Sequence, residues 1–157
     1  MSQAAAYNTN LASEFFVLSC LHRRGIDACL TLGNKKSVDI LAARPTGEAL
    51  SIEVKAVAGK HDWFTGSATI YDRPRMYLVL VTFNGAIADT HAMPSVWVLP
   101  GHVAARHVKV YKGGVFGITR STALSHFLPY EHAWDLLLTD TPPPGTDPVS
   151  PPSPLET

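Results

Sequence analysis

The stretch ALSIEVKAV at residues 49–57 constrains this chain more than any other. Leu50, Ile52, Val54 and Ala56 fall on alternate positions, the period of a β-strand with one face in a core. The other face carries Ser51, Glu53, Lys55 and Val57. An acid and a base therefore sit two residues apart on a strand whose surroundings are apolar, where a charge is tolerated only with a partner. The plain alternative is a surface ion pair on an edge strand.

Residues 37–43 (SVDILAA) predict a preceding strand, with Val38 and Ile40 on one face and Asp39 beside Leu41 on the other. The joining Arg44-Pro45-Thr46-Gly47-Glu48 has the chemistry of a turn. A hairpin centred on Thr46 sets Asp39 across from Glu53, and a slip of two residues keeps the faces but makes the pair diagonal. Like charges directly opposed destabilise a sheet by about 0.2–1 kcal/mol, and by more when buried. A divalent cation offsets this directly and the Lys55 ammonium does so in part. Mg²⁺ prefers carboxylate oxygens and keeps several waters, which suits a two-carboxylate site open to a phosphate. The plain alternative for Asp39 is an acid at a strand end near a turn.

Upstream, Asn10 followed by LASEFFVLSCLHRRG predicts a helix capped by Asn10 and stopped at Gly25. At about 100° per residue, Leu11, Phe15, Val17, Leu18 and Leu21 form one apolar face, and Glu14 projects within roughly 20° of its middle. Two accounts fit Glu14: a site carboxylate, or an acid near a helix N-terminus where the macrodipole favours it. His22 on the same face reads as a core histidine. Residues 27–32 predict a first strand, and 58–75 a long loop with one helical turn. The near-continuous apolar run at 76–83 (MYLVLVTF) predicts a strand covered on both faces. A strand at 95–99, a short helix opened by Pro100 and ending at 106, an edge strand at 108–111 and a helix at 121–138 split by Pro129 complete the expected order, with Trp97 and Trp134 as packing residues.

Apolar residues make up 46% of the 157, enough for one domain with a packed core over residues 1–140. Seven of the twelve prolines lie in 141–157, which reads as a disordered or polyproline-II tail. Lys plus Arg equals Asp plus Glu at 13 each, so no global field draws in a polyanion. Phosphate contacts would have to be local. Lys35, Lys36, Lys60, Arg73 and Arg75 lie in loops flanking the site strands and make either a phosphate-binding rim or an ordinary solvated surface. Trp63 and Phe64 either stack nucleic-acid bases, Trp63 foremost, or fold the loop onto the core. Cys20 and Cys29 form no disulfide framework and read as small buried residues in a reducing compartment. The opening MSQAAAYNTN does not resemble a secretory signal, and no apolar run has membrane length, so a soluble cytoplasmic protein with no membrane partner is expected.

Glu14 on the leading helix, Asp39 in SVDILAA and Glu53-Val54-Lys55 in LSIEVKAV together resemble the PD-(D/E)XK phosphodiesterase superfamily, which holds many restriction enzymes and Holliday-junction resolvases. The likeness covers roughly residues 10–83 and extends to small uncharacterised bacterial members. Val38 stands where the motif has proline. The resemblance implies an α/β fold with a restriction-endonuclease-like αβββαβ core, a central mixed sheet flanked by helices. It implies an endonuclease dependent on Mg²⁺, or Mn²⁺, acting on DNA, branched or damaged forms included, and commonly a homodimer. By the same resemblance Asp39, Glu53 and the Val54 carbonyl hold the metal, while Glu14 orients a water or holds a second ion. Lys55 orients or deprotonates the attacking water, or stabilises the phosphorane. The competing expectations are a non-catalytic nucleic-acid-binding or protein-interaction module that keeps the fold, and an unrelated α/β protein in which the motif is coincidental.

Overall fold

A computed structural model describes residues 2–31, 38–139, 141 and 143–146. Helix α1 (Gln3–His22) starts at Ser2, whose hydroxyl accepts the Ala5 N–H at 3.2 Å. The expected cap, Asn10, lies inside the helix, because Ala4, Ala5 and Ala6, the best helix formers, carry it past its apolar part. Glu14 is therefore mid-helix, beyond the first turn in which the macrodipole favours acids. The buried face is also rotated from the expected one. Thr9, Ser13, Val17, Cys20 and Leu21 are buried, while Phe15 is 54% exposed and His22 lies at the surface. The Thr9 and Ser13 hydroxyls satisfy themselves on the Ala5 and Asn10 carbonyls at 2.9 and 2.6 Å. Cys20 is buried as expected and Cys29 is exposed.

Five strands make the central sheet: β1 (Asp27–Leu30), β2 (Ile40–Ala43), β3 (Ala49–Val57), β5 (Met76–Thr82) and β6 (Ser95–Pro100), in the order β1-β2-β3-β5-β6. Among these strands β3 and β5 pair in parallel and the other neighbours are antiparallel. The β2–β3 register is the one centred on Thr46, with Ile40 facing Ile52 and Ala43 facing Ala49. Gly47, at φ +87°, closes the turn and donates its N–H to the Arg44 carbonyl at 2.8 Å. Strand β5 pairs on both sides and is buried along its whole length, which is why its sequence does not alternate.

A parallel pair needs a crossover of a dozen or more residues. Residues 58–75 supply it and contain β4 (Trp63–Thr65) and the single turn α2 (Ala68–Tyr71). Strand β4 belongs to a second, three-stranded sheet in the order β4-β8-β7, with β7 (Lys109–Val110) and β8 (Phe116–Ile118). The expected edge strand at 108–111 lies there and not in the main sheet. Alternation along β4 separates the aromatic pair. Trp63 is fully buried, its indole N–H donates to the Val81 carbonyl at 2.8 Å, and its ring meets Trp97 edge-on at 5.5 Å. Trp63 is thus a core residue and cannot serve on a nucleic-acid rim.

Helices α3 (Gly101–Ala105) and α4 (Arg120–His126) follow; of the helix expected over 121–138 only the part to His126 is α-helical, Pro129 lies within a 3-10 turn at Leu128–Tyr130, and a second 3-10 turn spans Trp134–Leu137. Buried Arg44 ties this last turn to the sheet, donating to the Leu136 and Leu137 carbonyls at 3.1 and 3.2 Å and to the Tyr77 hydroxyl at 2.9 Å. Helix α3 begins where its backbone meets α2. A Cβ on Gly101 would lie 2.0 Å from the Tyr71 carbonyl oxygen and 2.7 Å from that of Met76. Gly101→Ala is expected to destabilise the fold by about 1–3 kcal/mol, the usual range for overpacking, read as a lower urea midpoint.

Candidate metal and phosphodiester site

The ladder between β2 and β3 stops at Ile40–Ile52. One residue further out, the Asp39 N–H still donates to the Ile52 carbonyl at 2.9 Å. Beyond that point a side chain replaces the backbone: Asp39 Oδ2 accepts the Val54 N–H at 2.7 Å. A residue in an antiparallel ladder turns its N–H and carbonyl to the same neighbour. The Val54 carbonyl therefore faces the side of β3 that Asp39 fills.

Glu53 precedes Val54 on β3, so its side chain lies on the opposite face from that of Val54, and it is only 3% exposed. Its two oxygens have different partners. The Lys55 ammonium lies 3.0 Å from Oε1, and the Tyr71 hydroxyl donates to Oε2. That hydroxyl also accepts the Gly66 N–H at 3.0 Å, so the crossover is tied to the site at two points. Burial, and then the Glu53 charge, push the Tyr71 phenol far above its ordinary range. Lys55 keeps a third of its side chain in solvent.

The remaining two carboxylates are shifted chiefly by burial. Burial, with a smaller push from Glu53, raises the Asp39 pKa against the Val54 hydrogen bond and the Lys55 charge. Burial likewise raises that of Glu14, with the Asp39 charge next and Lys55 opposing. Glu14 is thus within electrostatic reach of both Asp39 and Lys55, from a position in α1 that the helix dipole does not explain. The fold brings Glu14, Asp39, Glu53 and Lys55 into one neighbourhood. Among the described residues no three His, Cys, Asp or Glu side chains close a metal cage. Mg²⁺ does not need one, being held through one or two carboxylates, waters and a substrate phosphate. The donor set of two carboxylates and a carbonyl oxygen fits that hard cation.

The expected basic rim is dispersed. Lys35 and Lys36 lie outside the described residues. Lys60 is exposed beyond the Lys55 end of β3, and Arg73 is exposed before β5. Arg75 sits at the opposite, hairpin end of β3, where its carbonyl accepts the Ser51 N–H at 3.0 Å and its guanidinium pairs with Glu48 at 2.9 Å. Tyr71 was not anticipated. Its only sequence signal is indirect: a buried Glu53 demands a second donor, and a tyrosine in the helical turn of the crossover is placed to supply one. Beside Lys55 a groove of about 350 Å³ opens between α1 and the crossover, bordered by Thr9, Asn10, Lys55, Val57, His61 and Phe64.

No protein-family model matches the chain, and no curated protein matches it in sequence. Among solved structures it is similar to a bacterial homing endonuclease, I-Ssp6803I, with a TM-score of 0.54 and 14% identity over 82% of this chain and 89% of that one. The likeness is one of fold, the mixed α/β architecture with its central sheet flanked by helices.

An acid whose folded-state pKa is raised contributes stability while protonated and loses it as pH rises from the unfolded value through the folded one. Asp39 and Glu14 both behave this way, so in metal-free protein their contribution falls as pH climbs above about 4. Asp39→Asn keeps an acceptor for the Val54 N–H and removes the charge. It is expected to stabilise the metal-free protein at pH 7 by about 0.2–1 kcal/mol. Thermal unfolding should show the gain at pH 7 and its disappearance near pH 3, where the wild-type acid is already neutral.

Proposed function

We propose that this chain is a metal-dependent nuclease of the PD-(D/E)XK kind, hydrolysing phosphodiester bonds in DNA. The observation that carries the reading is the convergence of Asp39, Glu53 and Lys55 where β2 and β3 part, with Val54 between the two acids. The nuclease-like fold of the homing endonuclease supports it, and so does the position of Glu14, which no packing or dipole argument requires. The Asp39 and Glu53 carboxylates and the Val54 carbonyl would hold Mg²⁺ or Mn²⁺, which supplies Lewis acidity and an activated water when bound. The chain's own residues then have separate tasks. Tyr71 fixes the Glu53 carboxylate in one orientation. The Lys55 ammonium, partly in solvent and anchored on Glu53, is placed to bind a phosphate oxygen and to stabilise its growing negative charge. Glu14 is placed to accept a hydrogen bond from a water on the Asp39 side, its raised pKa suiting proton exchange nearer neutrality.

A second reading, a module that keeps the fold without activity, draws on one observation: both Glu53 oxygens are already engaged, by Lys55 and Tyr71. Metal binding separates the two. In calorimetry the nuclease takes up Mg²⁺ or Mn²⁺, and Asp39→Asn and Glu53→Gln each abolish the heat; the inactive module shows no such dependence. In cleavage assays over supercoiled, branched and single-stranded DNA, Lys55→Ala is expected to lower the rate by about 100-fold or more, with circular dichroism checking that the variant stays folded once buried Glu53 has lost this partner. Equal background for wild type and Lys55→Ala on every substrate, with both metals, sinks the nuclease reading.

A further inference from the structure

Resting on that nuclease reading, we propose that the groove beside Lys55 receives one unpaired nucleotide next to the bond being cut, its base stacked on Phe64. Strand β4 turns Trp63 into the core and leaves Phe64 67% exposed. An exposed phenyl gains nothing from burial, yet this one is braced. Tyr111 meets its ring edge-on at 6.2 Å. The Tyr111 hydroxyl donates to Asp62 Oδ2 at 2.9 Å, and Asp62 Oδ1 accepts the Arg120 N–H at 2.8 Å at the start of α4. Directly across from Phe64 on β8 stands Gly117, where a Cβ would come within 2.8 Å of the Tyr111 ring. The missing side chain lets Tyr111 lie against the small sheet and hold Phe64 at a fixed angle. A pre-set aromatic face is what base stacking uses, since its ordering entropy is spent during folding and not on binding.

The groove explains what would meet that face. Its volume, about 350 Å³, falls in the range of small-molecule sites, enough for a base with part of its sugar. Lys55 borders the groove and also pairs with Glu53, so a nucleotide seated there has its phosphate at the proposed catalytic centre. Asn10 on α1 also lines the groove and brings an amide able both to donate and to accept. A base inside an intact duplex is already stacked and cannot engage Phe64 unless it leaves the helix. The proposed substrate is therefore DNA with an unpaired base at that position, as in a single strand, a gap or a branch. Electrostatics favour the same conclusion: with 13 acidic and 13 basic residues the chain has little phosphate attraction to offer, and stacking supplies affinity that charge does not.

The test uses the full chain with Mg²⁺ and three DNA probes of equal length, single-stranded, gapped and fully duplex, carrying 2-aminopurine beside the cleaved bond. Phe64→Ala is expected to weaken single-stranded and gapped binding about 5- to 100-fold, and Phe64→Trp to restore it. Quenching of 2-aminopurine should be lost in the first variant and kept in the second. An abasic residue at the same position should remove the difference between wild type and Phe64→Ala. A wild type that cuts DNA and binds Mg²⁺ through Asp39 and Glu53 but is indifferent to Phe64, or that prefers intact duplex, overturns the groove and leaves the nuclease reading standing; Phe64 would then suit an apolar peptide contact. A chain that neither binds the ion nor cuts any probe overturns the nuclease reading and the groove with it.

Discussion

Burying the Glu53 carboxylate in the middle of an apolar strand is the constraint around which the site is built. Desolvating a carboxylate costs several kcal/mol unless charge and hydrogen bonds offset it. The offsets come from two directions, Lys55 on the same strand and Tyr71 from the crossover. The second requires that α2 stand at one particular height above β3, and Gly101 makes this geometrically feasible by admitting the Tyr71 backbone. A helix of one turn has little stability of its own. It is held here by α3, by the Tyr71–Glu53 contact and by the Gly66 N–H, so the acid that the fold must accommodate also organises the segment that accommodates it.

Where β2 and β3 separate, the fold exchanges a backbone bond for a side-chain one. Asp39 Oδ2 on the Val54 N–H both completes the ladder and fixes a carboxylate next to a strand carbonyl. The same contact explains why Asp39 is not simply a strand-end acid: burial lifts its pKa while the hydrogen bond resists, with Lys55 lowering it and Glu53 raising it. A constellation of three acids and one ammonium is poorly satisfied without a cation.

The crossover from β3 to β5 has three outputs from one segment. Trp63 goes into the core against Trp97, Tyr71 onto Glu53, and Phe64 outward against Tyr111. The parallel pairing of β3 with β5 makes such a connection obligatory, and its length leaves room for the second sheet that braces Phe64. The contact of Tyr71 with Glu53 and the proposed nucleotide groove are thus consequences of the same topological requirement.

Much of this was legible from local pattern. Alternation along 49–57 specified which residues share a face and the unbroken apolar run at 76–83 specified a doubly covered strand, while turn chemistry at 44–48 left two registers open, of which the structure has the one centred on Thr46. These are short-range properties, decided by the period of the strand and the stereochemistry of a turn. The helix start was misread because alanine propensity extends a helix without any amphipathic signal, and that error kept the dipole account of Glu14 alive. Trp63 and Phe64 could not be told apart, since neighbouring aromatics in an unassigned strand have no known facing. Tyr71 on Glu53, Asp62 joining Tyr111 to Arg120 across 49 and 58 positions, and the Gly101 and Gly117 approaches belong to the tertiary structure alone. Contacts between residues so far apart depend on where whole elements come to rest, and no local period encodes that.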